Sequence, residues 1–185
     1  MPRHLPRGWV ACDPGGSHSG LVSLIGVDVV DVFVLDRADD ELIVDYARRV
    51  ADRLVAMYGR VERALTRRAA ADEGEVVNDT AVALEGVVPI TPHAGDKPIN
   101  PTGLVYAAVV LGACAARFPN AAIVRPGRMG SNVLAAYPAQ LVSDGERRRV
   151  GWEMRVGTGQ LRHARSAYDV AQAAKQPHNH LTSER

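Results

Sequence analysis

The sequence predicts an α/β fold: a five-stranded mixed sheet, three antiparallel strands followed by two parallel ones, flanked by helices. Two observations carry this. Three apolar segments open the chain, separated only by tight glycine-bearing turns, and links this short join antiparallel neighbours. Apolar repeats of helical period then alternate with short apolar runs, the pattern of strands joined through helices. A length of 185 residues suits one domain, expected over residues 1–175, with a polar, disordered tail from 176 to 185.

Trp9-Val10-Ala11-Cys12-Asp13 reads as the first strand, stopped by Pro14-Gly15-Gly16. Gly20 to Ile25 reads as the second, and Val27 to Leu35 as the third, with Asp and Val partly alternating. A long helix follows, capped by Asp39 or Asp40, with an apolar stripe of Leu42, Tyr46, Val50, Leu54, Met57, Val61 and Leu65. Ala81 to Val88 is the fourth strand, and Thr91 to Pro101 an irregular, turn-rich loop. Thr102 to Phe118 predicts a helix apolar almost all round, which needs cover on more than one side. Ala121 to Val124 is a fifth short strand. Residues 127–160 read as loops around one short helix at Val133 to Ala136, and Leu161 to Lys175 as the last helix.

Charge is unevenly spread beneath a net of +1. From Asp28 to Asp96 there are 15 acidic and 8 basic residues, whereas Arg117 to Lys175 carries 10 basic against 4 acidic. A basic C-terminal third could meet a polyanion, although composition alone favours a simply solvated surface. Cys12 and Cys114 lie in apolar runs, as free thiols of a reducing compartment do. With no long uncharged apolar stretch and no signal-like N-terminus, a cytoplasmic protein without membrane contact is expected. No Walker A sequence and no CxxC pair occur, so neither a P-loop nucleotide cofactor nor a zinc site of that kind is expected.

Three acids are the candidates for chemistry. Asp13 ends the first strand at a Gly-rich turn that lets a ligand approach the backbone, although an Asp there also caps turns. Glu85 places a charge inside an otherwise apolar strand; it must be paired, exposed or bound to a metal. Asp169 lies on the last helix, with Ser166 three residues earlier on the same side and His163 six earlier. Converging, such carboxylates suit Mg²⁺ or Mn²⁺, and two such ions ~3.5–4 Å apart clamp the attacking and leaving oxygens of a phosphodiester.

Asp13-Pro14-Gly15-Gly16-Ser17-His18-Ser19-Gly20 resembles the Asp-Pro-Gly signature of RuvC-type Holliday junction resolvases, in the RNase H-like superfamily, of a phage type. Ala83-Leu84-Glu85 resembles that family's acid on the fourth strand, and Arg162 to Ala171 its closing helix. The resemblance implies a metal-dependent endonuclease acting on branched DNA as a homodimer, in the host cytoplasm if phage-encoded. Asp13, Glu85 and Asp169 would be its catalytic acids, holding two Mg²⁺ or Mn²⁺ ions, with His163 or Ser166 completing the ligands. Ser17, Arg125, Arg128, Arg162 and Arg165 would contact the DNA backbone. Two departures stand out: Ser166 occupies the place of an acid or His, and no aromatic residue follows Glu85. A nuclease for hybrids or flaps, or a non-catalytic DNA-binding protein of the same fold, are the alternatives.

Overall fold

The computed structural model describes residues 7–71, 79–87, 101–127, 129–151, 153–155, 159 and 161–176. Strands β1 (Gly8–Asp13), β2 (His18–Ile25) and β3 (Asp28–Asp36) form the opening meander, followed by helix α1 (Ile43–Ala71) and β4 (Thr80–Glu85). Helix α2 (Pro101–Arg117) and β5 (Ala122–Val124) come next, then two 3-10 turns, helix α3 (Asp144–Val150) and helix α4 (Arg162–Ala174). The sheet order is β3-β2-β1-β4-β5. β2 runs antiparallel to β1 and β3, while β4 runs parallel to β1 and β5. This is the mixed five-stranded sheet that the sequence predicts.

Alternation along the strands divides the core into two layers. Val10, Cys12, Val82 and Leu84 point to the face covered by α1 and α2, against Tyr46, Val50, Leu54, Met57 and Cys114. Trp9, Ala11 and Ala83 point the other way, onto Ala167, Val170, Ala171 and Ala174 of α4. The same parity sends the terminal acids Asp13 and Glu85 to the α4 face, at the carboxyl ends of adjacent parallel strands. Small side chains make that face flat enough for a helix to lie close.

Gly20 shows how close. It pairs with Asp13 across β1 and β2. A Cβ there would stand 2.0 Å from the carbonyl carbon and oxygen of His163. A Cβ at Gly16 would stand 2.6 Å from Tyr106 Cβ and 3.1 Å from the Gly103 oxygen of α2. The glycines of the opening motif are thus packing requirements as well as a turn signal.

Several boundaries differ from expectation. β2 starts at His18 and β4 ends at Glu85, with Gly86 and Val87 outside the strand. Helix α1 begins at Ile43, later than an Asp39 or Asp40 cap allows, and Leu42 is 66% exposed. Its backbone oxygen accepts from the amides of Asp45 and Tyr46. α3 was not expected: Ser143 accepts from the Glu146 amide at 3.2 Å while Glu146 accepts from the Ser143 amide at 2.9 Å. That capping box is visible in the sequence as Ser-x-x-Glu, hidden by Gly145 and the arginines that follow.

On α2, Val110 and Cys114 are buried, whereas Val105 is 58% exposed beside exposed Ala108 and Gly112. α1 therefore covers one face of α2, and the other faces outward. Both cysteines are free and buried. Among the described residues, no helix is long and apolar enough to cross a membrane. The expected loop at 91–100 and the tail beyond 176 lie outside the described residues, as does Val88.

Gly20→Ala should cost at least ~2–3 kcal/mol, because the added methyl meets backbone that has no rotamer to retreat into. A urea midpoint within experimental error of the parent would show that α4 does not press on β2 there.

Candidate active site

Asp13 and Glu85 follow Cys12 and Leu84, which pair across β1 and β4, so the two acids come off neighbouring strand ends on one face. Their carboxyls lie within hydrogen-bonding reach. Burial, then the neighbouring Asp13 charge, pushes Glu85 up to about 8; a hydrogen bond from Ser166 and the Arg162 charge offset only part of this. Near neutrality Glu85 therefore keeps its proton far more readily than an ordinary carboxyl does.

Helix α4 supplies the partners. His163 Nδ1 donates to Asp13 Oδ2 at 2.9 Å, since a carboxylate can only accept. Ser166 Oγ donates to Glu85 Oε2 at 3.0 Å. These residues are one turn apart, and the contact of α4 with Gly20 sets that turn against the strand ends. The His163 and His18 rings lie 5.6 Å apart, centre to centre, with their planes inclined by 33°, and His18 Nδ1 donates to Asp36 Oδ1 at 2.9 Å. His18 was not singled out in the sequence, where its pairing with Asp36 across β2 and β3 has no local signal.

Asp169 is placed differently. One turn beyond Ser166, its Oδ2 accepts from the Gly130 amide at 2.8 Å, Tyr137 Oη at 2.9 Å and Asn132 Nδ2 at 3.4 Å. Burial raises its pKa, and those donors with the Arg165 charge pull it back. Gly130, at φ +70°, fits beneath α4 only because it lacks a side chain: a Cβ would lie 2.7 Å from the Arg162 oxygen. Asp169 thus ties the 129–132 turn to α4. Among the described residues no group of three or more His, Cys, Asp or Glu stands close enough to share a metal ion.

The expected nucleic-acid contacts divide likewise. Ser17, Arg125 and Arg162 are exposed, and Arg162 acts on Glu85. Arg128 lies outside the described residues. Arg165, expected at the DNA backbone, is turned inward instead: its side chain is 0% exposed and bonds Glu146 Oε1 at 3.1 Å and the Leu141 oxygen at 3.1 Å. It is a strut between α4 and the segment leading into α3. An arginine four residues from the helix start reads as surface charge in sequence; the partner that buries it, Glu146, lies 19 residues away.

Asp13 and Glu85 fit a hard divalent cation. The Asp13 charge that pushes Glu85 up is repulsion that a bound cation offsets. His163 and Ser166 add a nitrogen and a hydroxyl beside them. Asp169 joins such a site only by exchanging its present donors.

No protein-family model matches the chain, and no curated protein sequence matches it. Among solved structures it is similar to Thermus thermophilus RuvC in complex with a Holliday junction substrate, at TM-score 0.46 and 15% identity. That match covers 91% of this chain and 90% of the other. It is also similar to a second Thermus thermophilus RuvC structure, at TM-score 0.43 and 16% identity, covering 91% and 93% of the two chains.

A carboxyl whose pKa rises on folding stabilises the fold while protonated, and that contribution is lost as pH climbs through the folded value. Glu85, moving from 4.5 unfolded to about 8 folded, should make the protein progressively less stable between those pH values. Glu85→Gln should flatten this slope in urea titrations across the same window; a slope that survives the substitution assigns it to other groups.

Proposed function

We propose that this protein is a divalent-metal-dependent endonuclease of RNase H-like type that hydrolyses phosphodiester bonds in branched DNA, four-way junctions above all. The observation that carries the reading is the Asp13–Glu85 pair, two adjoining acids on one face at the ends of two parallel strands. The opening Asp-Pro-Gly motif and its order relative to Glu85 and α4 support the junction substrate by resemblance.

In this reading Asp13 and Glu85 hold a Mg²⁺ or Mn²⁺ ion. His163 steers Asp13 through Nδ1, and Ser166 holds Glu85 by its hydroxyl. A bound divalent ion supplies Lewis acidity and orients oxygen about the scissile phosphate. Arg162, exposed on the first turn of α4, and Arg125, following β5 beside the Glu85 strand end, draw the phosphate backbone to the acids. A second ion between Asp13 and Asp169 requires Asp169 to leave Gly130, Asn132 and Tyr137.

The engaged state of Asp169 and the serine at position 166 also favour a second reading, a DNA-binding protein of this fold without catalysis. Cleavage assays on four-way junctions, flaps and RNA–DNA hybrids, with Mg²⁺, Mn²⁺ or EDTA, separate the two. Metal stabilisation of the transition state is worth several kcal/mol, so Asp13→Asn or Glu85→Gln should lower cleavage on the order of 10³-fold or more. Mg²⁺ should also raise the melting temperature of the wild type and not of Glu85→Gln. Junction cleavage that Asp13→Asn leaves intact removes the acid pair from the chemistry; absence of any cleavage supports the binding protein.

A junction of near two-fold symmetry needs two matched cuts, and a symmetric homodimer delivers them. The outward face of α2, with Val105, Ala108 and Gly112, is the proposed interface; Val109 is partly buried in the subunit's own core. Val105→Arg should give a folded monomer in light scattering that binds junctions without making paired cuts. A wild type that is monomeric at micromolar concentration and still cuts in pairs would sink this assembly.

A further inference from the structure

Two histidines stand at the rim of the acid pair, and both are held alike. His18 opens β2 and gives its Nδ1 proton to Asp36; His163, in the first turn of α4, gives its own to Asp13. A carboxylate on Nδ1 fixes the neutral ring as the tautomer whose lone pair lies on Nε2. Proteins orient imidazoles for transition metals in this way.

The spacing of the rings suits one shared ion. Their centres are 5.6 Å apart and their planes are inclined by 33°. Two imidazoles bound to a single ion at ~2.0–2.1 Å per nitrogen, at angles from tetrahedral to trigonal, have centres ~5–5.5 Å apart. Both side chains reach solvent, 55% exposed for His18 and 24% for His163. Both also sit on rigid elements, because the His163 backbone is pressed on Gly20, two residues along β2 from His18.

We propose that His18 and His163 hold one transition-metal ion of the Zn²⁺ class through their Nε2 atoms. No third metal-ligating side chain joins them among the described residues, so water or a phosphate oxygen completes the coordination. Imidazole nitrogen selects Zn²⁺ over Mg²⁺, whereas the oxygen-only Asp13–Glu85 pair selects the harder ion. Two sites of opposite preference thus adjoin, joined through the Asp13–His163 hydrogen bond. This binding site stands whether or not the protein cleaves DNA.

The test is titration of Zn²⁺ alone, without Mg²⁺, into the full chain, with the imidazole nitrogens followed by NMR. Saturable one-to-one binding that shifts Nε2 of His18 and His163 is expected. His18→Gln should weaken it at least tenfold and Glu85→Gln should leave it unchanged. Asp36→Ala keeps both nitrogens and removes the acceptor that anchors His18, so it should cost about tenfold; it carries the test if His18→Gln does not fold. Absence of saturable binding by the wild type overturns the proposal. So does undiminished binding by a folded His18→Gln, or, where that variant does not fold, by Asp36→Ala. Loss of binding in Glu85→Gln assigns the ion to the carboxylates, and shifts confined to His178 and His180 assign it to the C-terminal sequence; either also overturns it.

Discussion

Helix α4 lies against the sheet with backbone touching backbone at Gly20, and much of the molecule is arranged around that contact. Gly20 is the register partner of Asp13, so the turn of helix that presses on it arrives beside the first acid. From that turn His163 reaches Asp13 and Ser166 reaches Glu85. Ala164, Ala167, Ala171 and Ala174 keep the rest of the helix equally close, and Ala11 and Ala83 give it a shallow floor. A larger side chain at Gly20 would lift the helix and separate both pairs together.

That proximity has an electrostatic consequence. Two carboxyls are brought side by side in a half-buried position, where Coulomb repulsion and desolvation act in the same direction on Glu85. The Ser166 hydrogen bond and the Arg162 charge offset only part of that rise. Asp169, by contrast, stands where three donors converge on one oxygen, although burial still raises its pKa. The two environments differ in kind: the strand-end pair is short of positive charge, while Asp169 is already supplied with hydrogen bonds.

Buried polar contacts also organise the arginine-rich part of the chain. Arg165 reaches from α4 to Glu146, whose other bonds cap α3 at Ser143. Burial alone would raise the Glu146 pKa; Ser143 and Arg165 overcome that and hold it below the ordinary value. Breaking such a buried pair leaves an uncompensated charge, so its members belong to the fold rather than to the surface.

The sequence by itself determined the five strands, their two directions and the long helices, because alternation, helical periodicity and Gly-Pro punctuation are local signals. It also marked Asp13 and Glu85, since an acid at the end of an apolar strand stands out without any knowledge of its neighbours. Helix α3 was legible too, in the Ser143–Glu146 spacing, but seven residues rich in arginine give no hydrophobic period. Only the tertiary structure decided which residues of α4 face the acids. Helical spacing puts His163, Ser166 and Asp169 along neighbouring turns and leaves their rotation about the sheet open; the backbone contact at Gly20 settles it in favour of His163 and Ser166. It likewise decided that Arg165 is buried and that His18 joins His163, because their partners are distant in sequence and no local pattern records them.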